Sequence, residues 1–481
     1  MANLKSLAKD TAIYGLSSIL GRFLNYLLVP LYTMKMTAAS GEYGVITNVY
    51  AYVALLLVIL TYGMETTFFR YANKQGENAE RVYSTTLWSV GATSLFFVVL
   101  VLALISPISS FMGYGDHPEY IACMFTCVAI DAFQCIPFAY LRYQKKAIKF
   151  AALKLLFIFM NILLNCIYYL GMDGHDAQAA FIINLICTAT MTFFFWKELK
   201  GFRHGFDILL LKRMLSYSWP ILVLGIAGIL NQTADKMLFP YLYQQTDMKE
   251  QLAIYGAVFK IAMIMAMITQ AFRYAYEPIV FGKSKDKDSK EYYAKAMKYF
   301  LIFTLLAFLA VVGYMDILKF IIGKDYWVGL GVVPIVMAAE IMMGVYFNLS
   351  FWYKLIDKTI WGAVFSGIGC AVLIAINIVF VPRYGYVACA WGGFAGYFTA
   401  MLLSYIVGQK YYPISYPIGD MTIYVILTVI LYVVMTRLSS QLPVWGELSV
   451  NTMLILFFIV VVAVRDLPLG NMPVIGKFFK S

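Results

Sequence analysis

The chain has 481 residues, of which 62% are hydrophobic and only 13% are charged. A soluble globular domain carries about 25% charged residues, so this much apolar surface must face lipid rather than water. The net charge of +11 would indicate nucleic-acid binding in a soluble protein, but it is also typical of cytoplasmic membrane loops rich in Lys and Arg. The composition therefore argues against a nucleic-acid partner, makes membrane lipids a partner and predicts an all-α polytopic membrane protein.

Fourteen apolar stretches, separated by short polar turns, are each long enough to cross a bilayer. The first is too long for the core of a signal peptide and contains Arg22, so we expect it to be retained as a span. In chain order the predicted spans are 11–33, 43–66, 83–106, 119–141, 148–171, 177–197, 213–239, 252–278, 294–316, 328–352, 359–381, 385–408, 419–437 and 445–464.

The basic residues are distributed unevenly between the two sides of this arrangement. With the N-terminus inside, 26 of the 37 Lys and Arg residues fall in inward segments, 6 fall in outward loops and 5 lie within spans. Because Lys and Arg are enriched on the cytoplasmic side of membrane proteins, the distribution predicts an even number of spans. It also predicts that both termini are cytoplasmic.

Several features recur about 212 residues apart, at matching places in the predicted topology. Six spans separate the copies, so both halves would enter the membrane from the same side, as parallel repeats do in transporters with two facing lobes. We therefore predict an N-terminal lobe at 1–200 (spans 1–6), a C-terminal lobe at 201–411 (spans 7–12), and spans 13–14 with a cytoplasmic tail at 412–481. The recurring features are Tyr43-Gly44 with Tyr255-Gly256, Lys146 with Lys358, and Asn165 with Asn377.

Four basic residues lie within spans 1, 7 and 8, where a charge costs roughly 2.5–3.5 kcal/mol at the helix centre. Together they predict a cationic cavity for an anionic substrate, since Arg binds phosphate oxygens bidentately. Structural pairing is the alternative: Asp235 could pair with the basic residue of span 1, and Glu277 is four residues from the last of the four. The four are Arg22, Lys236, Lys260 and Arg273.

Intramembrane acids suggest a second role, coupling to an ion gradient. Asp131, Asp235 and Glu340 are candidates for binding H⁺ or Na⁺. Glu65 and Arg70, at the inner end of span 2, could instead form an interfacial pair or act in gating. We expect no cofactor beyond the coupling ion, and no metal site, because the seven Cys residues lie in apolar runs without ligands at zinc spacing.

Four segments resemble the Wzx-like oligosaccharide-lipid flippases of polysaccharide biosynthesis, within the multidrug/oligosaccharidyl-lipid/polysaccharide exporter superfamily. The similarity runs over nearly the whole chain and agrees in helix number and orientation. In span 7 the family often has Asp-Arg where this chain has Asp235-Lys236, which keeps the charge but weakens any bidentate contact. The segments are YGLSSILGRFLNYLLVPLYTMKMTAASGEYGVI, GMETTFFRYA, LSYSWPILVLGIAGILNQTADKMLF and DKTIWGAVFSGIGCAVLIAINIVFVPRYGYVACAWGG.

The resemblance implies a transporter rather than an enzyme, located in the bacterial inner membrane. It implies a polyprenyl-diphosphate-linked oligosaccharide as substrate, such as an O-antigen, capsule or exopolysaccharide unit, turned from the inner to the outer leaflet. A polysaccharide polymerase would be a further partner. Related lipid II flippases place basic residues of spans 1 and 8 in the cavity, and Arg22 and Arg273 occupy comparable positions here.

Three other functions stay open on the sequence. A cation-coupled multidrug antiporter of the same fold should favour acidic over basic cavity residues, whereas spans 1 and 8 supply cations. A lipid II flippase is a close competitor. A membrane polysaccharide polymerase or ligase usually carries a large outward loop, and no predicted outward loop here is long enough.

Overall fold

The computed structural model describes residues 26–282, 288–356, 358–437 and 441–466, without the side chains of 274, 275, 277–279, 281 and 282. Within these ranges the chain is α-helical with short 3₁₀ and π segments, and it contains no strand. Twelve helices are long and apolar enough to cross a membrane, and a bent pair makes a thirteenth. The predicted all-α polytopic fold is confirmed, and most of the first predicted span, 11–33, lies outside the described residues.

The helices follow the predicted spans closely, so the numbering of spans is kept. The end of span 1 is Leu28–Lys35. Spans 2–7 are Glu42–Ala72, Ala79–Ala103, Pro118–Tyr143, Ala147–Gly171, the bent pair Ala177–Phe193 and Trp196–His204, and Ile208–Leu242. Spans 8–14 are Met248–Gly282, Ser289–Gly313, Lys324–Leu355, Ile360–Tyr384, Tyr386–Tyr411, Ile418–Arg437 and Val444–Asp466.

Polar residues just before the spans fix where the helices begin. The Asn78 side chain accepts hydrogen bonds from the first backbone amides of span 3, and Asp176 does the same for span 6. Asp207 accepts from Leu209 and Leu210, both at 3.0 Å, at the start of span 7. These caps satisfy amides that have no partner within the helix, so the polar turns seen in the sequence become helix boundaries.

The two halves pack their helices in the same order. In the N-terminal half, span 4 contacts spans 2, 3 and 6, and span 5 packs on span 6. In the C-terminal half, span 10 contacts spans 8, 9 and 12, and span 11 packs on span 12. Spans 11 and 12 approach so closely that a Cβ built on Gly396 would lie 2.8 Å from the carbonyl oxygen of Gly369. The absence of a side chain on these glycines allows this approach. The lobe boundaries at residues 200 and 411 stay a prediction.

Span 2 joins the two halves by packing on spans 7 and 8. Near its first residues the backbones nearly touch: a Cβ built on Gly44 would lie 2.4 Å from the carbonyl oxygen of Lys249. One built on Gly256 would lie 2.0 Å from the Thr47 hydroxyl oxygen. The repeat-related glycines therefore close the interface at the end of the bundle that is predicted to face outward.

Spans 13 and 14 pack against span 9. Near one end, the Lys298 ammonium binds Asp420 at 2.7 Å and Asp466 at 2.5 Å. Toward the other end, the Asn451 side chain donates to the carbonyl oxygen of Gly313 at 3.0 Å. The last two spans are thus attached to the C-terminal half at both ends of span 9.

Candidate functional site

A cavity of about 470 Å³ lies between spans 2, 7, 8 and 10. This volume is within the roughly 300–1,000 Å³ typical of small-molecule sites. Span 2 borders it from the N-terminal half, and the other three spans border it from the C-terminal half. The lining residues used below are Thr47, Tyr50, Gln232, Lys236, Phe259, Lys260, Gln270, Arg273, Glu340 and Phe347.

Three of the four predicted basic residues line this cavity together. The Lys236 ammonium is 3.2 Å from both carboxylate oxygens of Asp235 and 3.7 Å from the centre of the Phe259 ring. The Arg273 guanidinium lies over the Phe347 ring at 4.7 Å. Cations over aromatic faces gain about 0.5–2 kcal/mol, so these rings help to hold the charges inside the bundle.

Lys260 differs from Lys236 in its surroundings. Within the described part of the chain, no carboxylate lies at ion-pair distance from its ammonium, whereas Lys236 is paired. Its backbone is held by span 1, since the Tyr26 hydroxyl donates to the Lys260 carbonyl oxygen at 2.5 Å. Arg22, the fourth predicted basic residue, lies outside the described residues, and so does the Glu277 side chain.

A buried acidic cluster adjoins the cavity on the side of the C-terminal half. The Tyr255 hydroxyl donates to Asp235 at 2.6 Å, so this carboxylate binds both a tyrosine and Lys236. Glu340 borders the main cavity and a smaller one that also contains Asp235 and Tyr397. The Glu340 Oε2 atom and the Tyr397 hydroxyl are buried without a hydrogen-bond partner among the described residues. Asp235 thus pairs with its neighbour Lys236, and its predicted partner Arg22 lies outside the described residues.

Asp131 lies elsewhere, inside the N-terminal half. The Thr188 hydroxyl donates to its carboxylate at 3.2 Å, and the Cys127 thiol is 3.9 Å away. The Lys154 ammonium lies over the Phe138 ring at 4.0 Å. The structure therefore separates Asp131 from Asp235 and Glu340, and its predicted role in ion coupling stays a prediction.

Glu65 and Arg70 each have another partner than the one suggested by the sequence. Glu65 forms an ion pair with Arg142 of span 4, and the Arg70 guanidinium lies 3.9 Å over the ring of Tyr217 in span 7. The interfacial pairing of these two residues is therefore wrong, because the helix Met64–Ala72 turns them toward different neighbours. Their role in gating stays a prediction.

A chain of polar side chains reaches the cavity from the N-terminal half, and no sequence pattern predicted it. Asn161 donates to the Asn184 side-chain oxygen at 3.4 Å, and Asn184 donates to the Tyr50 hydroxyl at 3.1 Å. Tyr50 lines the cavity with 39% of its surface exposed. In sequence it was one aromatic residue among many, because lipid-facing and cavity-facing tyrosines look alike without a structure.

A model of the polysaccharide biosynthesis protein family matches residues 7–279, more than half of the 481 residues. The chain belongs to this family. The match confirms the family resemblance and covers three of the four sequence segments; the fourth, at 357–393, lies beyond it. It includes spans 2 and 7 and most of span 8, which line the cavity. A sequence comparison with curated proteins gave no match.

Solved structures of the multidrug/oligosaccharidyl-lipid/polysaccharide exporter superfamily share the fold of this family member. A lipid II flippase MurJ in an inward closed conformation has a TM-score of 0.73 and 16% identity, covering 94% of this chain and 99% of its own. An inward-facing multidrug resistance MATE transporter has a TM-score of 0.65 and 14% identity, covering 81% and 94%. At such identities the likeness establishes a shared multi-pass membrane fold and leaves the function and the substrate open.

Proposed function

We propose that this protein is a flippase for polyprenyl-diphosphate-linked oligosaccharide in the bacterial inner membrane. The diphosphate binds the cations of the cavity while the polyprenyl chain stays in the bilayer. The two halves then rock so that the cavity opens to the other side, and the oligosaccharide is released at the outer leaflet. Membership of the polysaccharide biosynthesis family supports this choice of substrate class.

The observation that carries the proposal is the surplus of positive charge in the cavity. Lys236 is partly neutralised by Asp235, but Lys260 has no carboxylate at ion-pair distance within the described ranges. An ammonium in the membrane interior is costly without a counter-charge. A bound diphosphate supplies that counter-charge, and its binding favours the conformation in which the cations lie close together.

Substitution of Lys260 tests this proposal. Lys260→Gln removes a charge-assisted contact worth about 1.5–3 kcal/mol, so we expect roughly 10- to 150-fold weaker binding of undecaprenyl diphosphate by the purified protein. In cells, the variant should accumulate lipid-linked oligosaccharide on the cytoplasmic face. The exposed Lys212→Gln, on the first turns of span 7, is the control and should behave as the parent protein. Equal diphosphate affinity in both variants would contradict the proposal.

Two other functions remain candidates and are separated by simple assays. Rescue of a strain that lacks its own lipid II flippase would favour lipid II as substrate, the cargo named for the structurally similar MurJ. Conferred resistance to organic cations would favour a drug antiporter. Against the antiporter, the described cavity lining carries three basic side chains and one acid, Glu340.

Coupling to an H⁺ or Na⁺ gradient is part of the proposal. Asp235 and Glu340 support it, because both are buried carboxylates beside the substrate cavity, and Glu340 has an oxygen without a hydrogen-bond partner in the described structure. A polymerase that receives the exported unit is proposed as a partner on the family resemblance alone.

A further inference from the structure

The described residues of the two cavity walls differ in charge, which suggests that the walls contact different parts of a ligand. All charged residues in the described lining belong to spans 7, 8 and 10, and they include Lys236, Lys260 and Arg273. Span 2 supplies only Thr47, Tyr50 and two alanines. A diphosphate is attracted to the first wall, whereas the span 2 part of the second wall is neutral and partly aromatic.

Tyr50 ends a directional chain of hydrogen bonds that crosses the N-terminal half. The chain starts at Tyr32, whose hydroxyl donates to Asn165 at 2.8 Å. Asn165 donates to the Asn161 side-chain oxygen at 3.2 Å, and Asn161 and Asn184 continue the chain to the Tyr50 hydroxyl. Each group donates to the next, so each bond polarises the following one in the same sense.

The last group of this chain, the Tyr50 hydroxyl, has a proton for which the described residues provide no acceptor. The Tyr50 hydroxyl oxygen accepts from Asn184, and a phenol has one proton of its own to donate. No acceptor for that proton exists among the described residues, and Tyr50 lines the cavity. The arrangement therefore presents a preoriented O–H donor, on a partly exposed aromatic ring, to whatever occupies the cavity.

Neighbouring contacts place Tyr50 at the level of the cations. Asn48, two residues earlier, donates to the Lys236 carbonyl oxygen at 2.8 Å. Thr47 packs against Gly256, one helical turn before Lys260. A ligand whose phosphates bind Lys236 and Lys260 would therefore bring the group attached to those phosphates to Tyr50.

We propose that Tyr50, oriented by Asn184, is a specificity-determining residue that donates a hydrogen bond to the sugar attached directly to the diphosphate. Sugars are uncharged, carry several acceptor oxygens and have apolar faces that pack on an aromatic ring, which matches this wall. The same O–H could instead meet a phosphate oxygen, so the test separates the two acceptors. This inference rests on the proposed flippase function.

The experiment measures binding of two kinds of probe to the purified full-length protein. The first is undecaprenyl diphosphate, and the second is a panel of undecaprenyl diphosphates carrying N-acetylglucosamine, galactose or glucose. We expect the parent protein to bind at least one sugar-bearing probe about tenfold more tightly than the bare diphosphate. Tyr50→Phe, which removes only the hydroxyl, should reduce this preference to within about twofold, because the sugar-bearing probes lose more affinity than the bare diphosphate.

Control variants keep the outcomes distinct. Tyr384→Phe, at an exposed tyrosine near the end of span 11, should retain the full preference, and Asn184→Ala should lower it because Tyr50 loses its orienting donor. Lys260→Gln should weaken all probes equally. Retention of the sugar preference in Tyr50→Phe, or equal weakening of bare and sugar-bearing probes, would overturn the Tyr50 assignment. A parent protein that binds no probe would instead overturn the proposed function.

Discussion

At the scale of single residues, the buried pair of Asp235 and Lys236 is stabilised by a contact between sequence neighbours and by a contact from another helix. Asp235 binds its neighbour Lys236 and also the Tyr255 hydroxyl from the next span. Lys236 is only 8% exposed, so its charge depends on this carboxylate. The family's usual Arg at this place would offer a planar fork for phosphate. Here Lys236 forms an ion pair with Asp235. Lys260, which has no carboxylate at ion-pair distance in the described structure, is therefore the more available of the two lysines for a ligand.

Removing the carboxylate of Asp235 should destabilise the protein strongly. Asp235→Ala leaves a buried ammonium without its counter-charge and the Tyr255 hydroxyl without its acceptor, which costs about 3–5 kcal/mol. We expect a clear fall in melting temperature of the purified protein. Combining it with Lys236→Met should recover most of the loss, because the double variant buries no charge. Asp325→Ala, at an exposed position, is the control. A melting temperature equal to the control's would show that the pair contributes little.

At the scale of helices, the Tyr-Gly repeat has a structural explanation. Each glycine lies where the other half leaves no room for a Cβ atom: Gly44 faces backbone atoms of Lys249 and Ala253, and Gly256 faces the Thr47 side chain. The sequence predicted only that the motif recurs. The close approach at both copies requires spans 2 and 8 to cross near those residues, which no local pattern encodes. The break in span 2 between Thr61 and Met64, by contrast, is local in origin, since Tyr62 and Gly63 adopt positive φ angles of 31° and 71°.

Adding a methyl group where spans 2 and 8 cross should push the two helices apart and open the predicted outer end of the cavity. A methyl group at Gly44 would meet backbone atoms of Lys249 and Ala253 at 2.4 and 3.0 Å, and overpacking of this kind costs about 1–3 kcal/mol. Gly44→Ala should therefore shift the population toward the outward-open state by roughly 5- to 150-fold. Labelling of Gln232→Cys by a membrane-impermeant maleimide from outside measures the change. Gly228→Ala, which adds its methyl in open space, is the control and should leave labelling low. Unchanged labelling in Gly44→Ala would contradict closure of the cavity by the contact between spans 2 and 8.

At the scale of the whole molecule, the arrangement is two similarly packed halves joined by span 2, with spans 13 and 14 attached to span 9. Alternating access requires the contact between spans 2 and 8 to separate in each cycle, while the attachment of span 14 to span 9 persists. The two contacts are therefore expected to respond differently to covalent cross-linking.

Two disulfides test this difference in a variant whose seven native cysteines are replaced. Thr47→Cys with Gly256→Cys links the halves, since a Cβ on Gly256 would lie 2.9 Å from that of Thr47, and a small outward shift brings the pair into the roughly 3.5–4.5 Å range of disulfides. We expect export to stop on oxidation and return on reduction. Gly313→Cys with Asn451→Cys, whose Cβ atoms are 3.4 Å apart, should cross-link without loss of export. Full export by the oxidised first pair would refute movement at this interface.

The sequence alone determined the membrane fold, the limits of the spans and the residue types of the cavity. Apolar length and charge segregation are local properties, because lipid replaces water around each helix and every intramembrane charge is conspicuous. Lys236, Lys260, Arg273 and Glu340 were visible for this reason. Only the tertiary structure decided which of them share a cavity, and it placed Asp131 apart. It also showed that Glu65 pairs with Arg142, and that Tyr50 faces the cavity rather than lipid. These facts depend on how helices rotate against one another, and that rotation is set by packing between residues far apart in the chain.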